Sequence, residues 1–371
     1  MSRNLLPLSF AAALLAGTAM ADVPEVATDI APVHSLVARV MADVGTPDLI
    51  VQPGASPHEY SLRPSEAQAL QDADLVFWIG PDLTPWLDDA IETLAGNAEV
   101  TALAKLDKTK TLPTRESALF EAHNHDHGSA HDDHGHGEED HAHGHEDSHD
   151  HDHDHDHGHD HGHDEAHDHD HDHDTHDHSH DHDTHDHAQE DGHAEGHGHH
   201  HGAYDPHVWL SPENAAAWLN AIAAKLSAAD PENASTYYAN AAAARDELTA
   251  LSQEINITLA PVRGKNFVVF HDAYQYFEDS FDIPASGAIS VSDASDPSPA
   301  RIEEIRARVT QEGITCVLSE PQFDPGVVSA ILQGSEVKTG VLDPLGASLE
   351  PGPALYPQIL RNLAQALATC L

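Results

Sequence analysis

The sequence is poor in basic residues, and this shortage bears on its partners. Only 16 of the 371 residues are Lys or Arg, against 64 Asp and Glu, so the formal net charge is −48. Phosphate recognition needs basic patches, and the chain shows none, which argues against nucleic acid as a partner. A negative field of this size instead favours a metal cation.

Long apolar stretches are also scarce. Beyond the N-terminus, no segment reaches the ~20 apolar residues of a membrane-spanning helix. Residues 1–21 have the pattern of a secretory signal, with Arg3, an apolar stretch at 5–17 and the small-residue site Ala19-Met20-Ala21. We expect cleavage after Ala21 and a soluble, exported mature chain that begins at Asp22.

Cysteine is nearly absent, since the chain contains only Cys316 and Cys370. Metal coordination by these thiols would need partners at CxxC-like spacing, and there are none. In the oxidising compartment that export implies, we predict a disulfide between the two.

The most abundant feature is a histidine- and acid-rich segment, residues 123–201, which we call the histidine run. It holds 32 of the 36 histidines and 26 of the 64 acids, and it lacks Lys and Arg. Alanines are its only apolar side chains, so it cannot bury enough surface to offset its chain entropy, and we predict a disordered insertion. Imidazoles alternate with carboxylates, for example at 149–153, which favours loose binding of several metal ions over a plain solvated linker.

Strand and helix signals alternate on both sides of the histidine run. Apolar stretches predict strands at 26–30, 49–52, 75–79, 100–103, 267–270, 288–291, 315–318 and 338–342. Proline starts, glycine stops and apolar periodicity predict helices at 33–44, 64–72, 84–94, 211–226, 231–259, 274–281, 298–313, 325–332 and 356–367. The glycine-free segment 231–259 predicts a rigid connector roughly 43 Å long. Four strands alternating with helices in each half predict two parallel α/β lobes.

Four histidines lie outside the run, at positions 34, 58, 207 and 271. His58 follows a predicted strand, His271 lies at the end of another, and His207 precedes a helix. Ligands of open parallel sheets bind beyond the carboxyl ends of the strands, so facing lobes would gather these residues in one cleft, with Asp343 at the same edge. Three imidazoles and an oxygen donor are an ordinary tetrahedral zinc set. No short-range pair such as HExxH is present, so spacing alone leaves a structural role open for each histidine.

Three segments around these histidines resemble the metal-binding segments of zinc-uptake ABC transporter substrate-binding proteins. They are PGASPHEYSLRPS at 53–65, DPHVWLSP at 205–212 and FHDAYQYF at 270–277. The stretches 73–81, 319–323 and 342–346 and the C-terminal cysteine pair also match this family. The resemblance covers essentially the whole mature chain.

The resemblance implies an α/β fold of two (β/α)4 lobes with parallel sheets, joined by one long rigid helix, with a metal site in the inter-lobe cleft. It implies an N-terminal lobe at 22–229 that carries the histidine run as a loop, a linker helix at 230–260 and a C-terminal lobe at 261–371. It also implies a periplasmic, monomeric, non-enzymatic protein that binds Zn²⁺ with high affinity and delivers it to a membrane ABC permease.

Carried over by position, the resemblance assigns the transported zinc ion to His58, His207 and His271. An imidazole at 271 favours zinc, because the manganese-binding relatives usually have a carboxylate there. Pro57 stands where some zinc-uptake relatives have a glutamate ligand, so the fourth position falls to water or to Asp343.

Two further residues have open roles. We expect His34 to be structural or to line the cleft, with a secondary metal contact as the alternative. Glu320 follows a predicted strand, where it could accept a hydrogen bond from a ligand imidazole or pair within the second lobe.

Two other functions stay open at this stage. A zinc buffer or storage protein would depend mainly on the histidine run. A zinc hydrolase would also use three histidines and water, but no general base is identifiable beside them. The choice of zinc over copper and nickel also stays open, because both bind imidazole at least as well.

Overall fold

The structure, a computed structural model, describes residues 23–115, 204–290 and 297–371. The predicted signal sequence and the histidine run lie outside the described residues. In the described ranges the chain forms two four-stranded parallel sheets with helices on their faces, which confirms the predicted α/β fold with two lobes. No helix in these ranges is long and apolar enough to cross a membrane.

The first sheet has the strand order β2-β1-β3-β4. Its strands are β1 (Val26–Thr28), β2 (Asp48–Leu49), β3 (Leu75–Trp78) and β4 (Glu99–Ala102), and its helices are α1 (Ala31–Val40), α2 (Pro64–Asp72) and α3 (Pro85–Leu94). All four residues of β3 are buried, as expected for an apolar strand that is covered on both faces. Each of the three helices has a proline at its first or second position, where the missing N–H leaves no hydrogen bond unmade.

Two helices connect the halves, α4 (Pro212–Ala229) and α5 (Ala234–Leu259). The Ser211 hydroxyl caps α4 by accepting a hydrogen bond from the Asn214 amide at 3.2 Å. The sequence predicts α5 from residue 231, but residues Pro231–Asn233 form a 3-10 turn, because the Asp230 carboxylate accepts bonds from Asn233. The 26 residues of α5 still span about 39 Å.

The second sheet repeats the topology of the first, with the order β6-β5-β7-β8. Its strands are β5 (Phe267–His271), β6 (Gly287–Ser290), β7 (Cys316–Ser319) and β8 (Lys338–Val341), and its helices are α6 (Gln275–Phe281), α7 (Pro299–Gln311), α8 (Pro325–Leu332) and α9 (Leu355–Cys370). In both sheets the first strand of the half lies next to the centre, so the carboxyl ends of β1 and β5 occupy equivalent positions.

One apolar core runs through both halves. It includes residues from each sheet and from the helices between them, such as Phe77, Trp218, Leu248, Phe267 and Leu363. Two smaller clusters cover the outer faces of the sheets, one below α2 and α3 and the other below α7 and α8. The helix α5 contacts both α1 and α9, so it belongs to the shared core as well as joining the halves.

A disulfide joins Cys316 in β7 to Cys370 at the end of α9, as expected from the sequence. It ties the C-terminal helix to the second sheet across a loop of about 55 residues, a constraint worth roughly 4 kcal/mol in the chain-entropy model.

Candidate metal site

The fold brings three of the four histidines outside the run to one place. His58 lies in the loop after β2, His271 is the last residue of β5, and His207 directly precedes the 3-10 turn Val208–Leu210 that leads into α4. These positions lie at the carboxyl edges of the two sheets, where ligands of parallel sheets bind. His207 and His271 are buried and His58 is half-buried.

The three imidazoles converge through their Nε2 atoms. The Nε2 atom of His207 lies 3.4 Å from that of His58 and 3.4 Å from that of His271. Zinc–nitrogen bonds of about 2.0–2.1 Å at a tetrahedral angle place two ligand nitrogens roughly 3.3 Å apart. In the ranges that the structure describes, this is the only group of three or more His, Cys, Asp or Glu side chains arranged to hold one ion.

Carboxylates orient two of the imidazoles from behind. The Nδ1 atom of His207 lies 2.7 Å from Asp205 Oδ1, and the Nδ1 atom of His271 lies 2.7 Å from Glu320 Oε1. A carboxylate accepts from a protonated Nδ1, which leaves the Nε2 lone pair for a metal ion. Glu320 therefore accepts a hydrogen bond from a candidate ligand, one of the two roles that the sequence leaves open.

Burial shapes the electrostatics behind the histidines. Burial raises the pKa of the Asp205 carboxyl to about 7, and the His207 amide and the Arg115 guanidinium oppose that rise. Burial likewise raises the pKa of Asp272 to about 7, again opposed by Arg115. A divalent ion at the imidazoles would add positive charge to this region and favour the ionised carboxylates.

The histidines line a small cavity of about 20 Å³. Its wall also includes Trp209, Gln322 and Phe323. This volume is close to that of a single water-sized occupant. The cavity can therefore take an ion with about one water.

Aromatic rings hold the imidazoles in place. The ring centroid of Trp209 lies 5.2 Å from that of His207, and the centroid of Phe323 lies 5.5 Å from that of His271. Trp209 donates its Nε1–H to the Pro344 carbonyl at 2.9 Å. Trp209 therefore packs against the His207 imidazole and also bonds to the segment after β8.

The loop that carries His58 is fixed by two hydrogen bonds. Trp86 donates its Nε1–H to the Pro57 carbonyl at 2.7 Å, and the His58 amide donates to the Ser56 hydroxyl at 3.2 Å. Pro57 has no side-chain atom that could bind a metal ion. Its contribution to the loop is its backbone carbonyl, which accepts the hydrogen bond from Trp86.

Asp343 does not join the three-histidine group. Its Oδ1 atom accepts hydrogen bonds from the Leu345 amide at 3.2 Å and the Gly346 amide at 2.8 Å, which close the turn after β8. The carboxylate lines a neighbouring cavity of about 180 Å³ instead. Asp343 follows β8, as the sequence indicates, and its carboxylate closes the turn there and is not part of the three-histidine group.

His34 lies apart from the site. Its Nε2 atom is 3.0 Å from the Pro47 carbonyl oxygen, and the side chain is buried in α1. Burial lowers the pKa of this imidazole, so the neutral form is favoured. These contacts match the structural role expected from the sequence.

Sequence reasoning assigned no role to Asp205, Arg115 or Gln322. Asp205 had a local signal, because an aspartate two residues before a ligand can bond back to the ligand's own amide and ring. Arg115 pairs with Asp272 and Glu278, more than 150 residues away, and no local pattern indicates such pairs.

The chain matches a family model described as zinc-uptake complex component A, periplasmic, over residues 26–370. It is 42% identical over 373 residues to the high-affinity zinc uptake system protein ZnuA of Brucella abortus (strain 2308), covering 100% of this chain and 99% of that protein. It is 44% identical over 370 residues to the protein of the same name from Paracoccus denitrificans (strain Pd 1222), covering 98% of each. A crystal structure of ZnuA has the same fold, with a TM-score of 0.64 at 20% identity, covering 94% of this chain and 99% of that one.

Proposed function

The chain belongs to the family of periplasmic zinc-uptake complex component A proteins, and on that premise we propose that His58, His207 and His271 bind the Zn²⁺ ion it transports. It is a zinc-binding substrate-binding protein that works with an ABC transporter permease. The observation that carries the ligand assignment is the convergence of three Nε2 atoms at 3.4 Å separations, which suits one tetrahedral ion.

We assign the fourth position on the ion to water rather than to Asp343. The Asp343 carboxylate already accepts two backbone hydrogen bonds outside the histidine group. The ion itself is cargo, so the site must release it as well as bind it. Asp205 and Glu320 supply two negative charges that balance the ion without contacting it, and this leaves the direct ligands neutral.

The organisation of the mature chain follows from the same proposal. The signal is cleaved after Ala21, and an N-terminal lobe spans 22–229, a linker helix 230–260 and a C-terminal lobe 261–371. The protein acts as a monomer in the periplasm and binds no nucleic acid. The cavity of about 20 Å³ favours transport of a bare ion over hydrolysis of a molecular substrate.

A zinc titration of a variant without residues 123–201 tests this function. The variant is feasible because the Asp205 amide donates to the Leu112 carbonyl at 2.9 Å, so a short linker can join the two flanking segments. We expect it to bind one zinc ion tightly. His58→Ala or His271→Ala in this background should weaken binding by more than the roughly 100-fold that loss of a supporting residue causes.

His34→Ala is the matched control, because this buried histidine bonds to a backbone carbonyl away from the site. Its zinc affinity should equal that of the parent. Competition with Cu²⁺, Ni²⁺ and Mn²⁺ in the same titration measures selectivity. Loss of all tight zinc binding in the shortened parent would favour the buffer function and overturn our proposal, and unchanged affinity in His58→Ala or His271→Ala would remove that residue from the site.

A further inference from the structure

Gln322 has an amide with no hydrogen-bond partner, and it lines the zinc cavity. Its Nε2 and Oε1 atoms are both buried, and neither has a partner among the residues that the structure describes. An unpaired buried amide destabilises a folded protein, so its persistence at this position requires a reason. Gln322 lies two residues after Glu320, in the segment that follows β7.

The other polar side chains that line the cavity already have partners. Trp209 donates its Nε1–H to the Pro344 carbonyl, and Ser56 accepts from the His58 amide. Glu320 accepts from His271, and Asp343, which lines the neighbouring cavity, bonds to its own turn. Gln322 is therefore the polar side chain of the cavity wall whose amide is available to form hydrogen bonds with a further small ligand.

A tetrahedral zinc ion held by three imidazoles has one position left for a water molecule. The ion polarises this water and makes it a strong hydrogen-bond donor. The amide oxygen of a glutamine is a neutral acceptor, and its NH₂ group can donate to the water oxygen in turn. A neutral partner adds no third negative charge to those of Asp205 and Glu320, which suits a site that must give up its ion.

We propose that Gln322 is a positioning residue that holds the water completing the coordination shell of the transported zinc ion. This inference rests on the proposed function, because it requires the ion to lie among the three histidines. The side chain stabilises the loaded state through the water and leaves its amide unpaired in the zinc-free protein. Gln322 thus slows zinc release while slightly destabilising the zinc-free fold.

The test uses the full chain and compares Gln322→Met with Gln322→Glu. Methionine keeps the length of the side chain and removes the hydrogen-bonding groups, while glutamate retains an acceptor. Gln365→Met, at an exposed position of α9, is the matched control. A chelator buffer keeps free zinc too low to load weak sites, and full-length His58→Ala measures the background from the histidine run.

Three properties are measured: the rate of zinc loss to excess chelator, the visible absorption spectrum of the Co²⁺-loaded protein and the melting temperature of the zinc-free protein. We expect Gln322→Met to release zinc about three- to tenfold faster, the effect of one lost hydrogen bond. Its cobalt spectrum should change, and the melting temperature of its zinc-free form should not fall. Gln322→Glu should release zinc no faster than the unchanged protein, and Gln365→Met should match that protein throughout.

Equal release rates and cobalt spectra for all Gln322 variants would overturn the inference, while a single tight zinc ion in the same experiment would keep the proposed function. A fall in the zinc-free melting temperature of Gln322→Met would also overturn it, because the residue would then be structural. Tight zinc binding that survives in His58→Ala would instead overturn the proposed function.

Discussion

At the scale of single residues, the carboxylates behind the histidines determine how well the imidazoles can bind metal. Glu320 accepts from His271 twice, from Nδ1 at 2.7 Å and from the backbone amide at 3.2 Å. It therefore fixes both the ring and the end of β5. A charged acceptor also makes the ring nitrogen that faces the cavity more basic.

We expect Glu320→Gln to lower zinc affinity by about 10- to 100-fold. A neutral amide fixes the tautomer of His271 less firmly than a carboxylate does, and it does not offset the charge of the ion. Chelator competition on the variant without residues 123–201 measures the change. Glu254→Gln is the control, since Glu254 is exposed and pairs only with Arg361 among the described residues. Equal affinities in Glu320→Gln and Glu254→Gln would contradict the role of Glu320.

At the scale of elements, residues 110–115 cross from the first half to the second. We call this segment the strap. The Leu112 amide donates to the Tyr276 hydroxyl at 2.9 Å, and that hydroxyl donates to the Asp205 carbonyl at 2.7 Å. The strap thus packs on α6 directly behind the histidine site and joins the two lobes there.

Arg115 provides the strongest contact of the strap. Its guanidinium lies 2.9 Å from Asp272 Oδ1 and 2.6 Å from Glu278 Oε2, and the two carboxylates are 8% and 4% exposed. We expect Arg115→Met to lower the free energy of unfolding by about 3 kcal/mol, because it leaves two buried acids without their cation. Urea denaturation of the zinc-free protein measures the effect.

Lys110→Met is the control for Arg115→Met within the same strap. Lys110 pairs with Asp279 at 2.5 Å, but both side chains are nearly half exposed, so the loss should not exceed about 1 kcal/mol. A loss in Arg115→Met no larger than that in Lys110→Met would show that the strap does not depend on the buried pair.

At the scale of the whole molecule, the protein combines one folded three-histidine site with the histidine run, which contains 32 histidines. The metal-binding role of the histidine run stays a prediction from the sequence, because the run lies outside the described residues. An imidazole titrates near pH ~6.5, and neighbouring carboxylates raise that value, so protons compete with zinc along the run. In our proposal the three histidines of the cleft share one ion and are held by two lobes.

We therefore expect mild acidification to remove zinc from the run before it removes zinc from the cleft. Zinc stoichiometry is measured from about pH 7.5 to about pH 5.5 for the full chain and for the variant without residues 123–201. The full chain should fall from several ions towards one, and the shortened chain should stay near one over most of this range. Equal stoichiometry at the upper end would mean that the run binds no metal and serves as a solvated linker.

The sequence alone determined most of the secondary structure, because its start and stop signals are local. The helices α2 and α8 begin and end at the predicted residues, while α5 begins three residues late, at a turn built by the Asp230 side chain. The strand β2 is shorter than expected, although the amides of Ile50 and Val51 continue to bond to the first strand and its extension. Three histidine segments also sufficed to indicate the family and the cleft.

Only the tertiary structure decided which groups surround the histidines. The pairing of His271 with Glu320 joins residues 49 apart, and that of Arg115 with Glu278 joins residues 163 apart. Asp343 illustrates the same limit. Its strand position made it one candidate for the fourth ligand, beside water, but only the folded turn after β8 shows that its carboxylate accepts from two backbone amides. Strand order places a residue at a sheet edge, but the direction of its side chain depends on hydrogen-bond partners that meet only after folding.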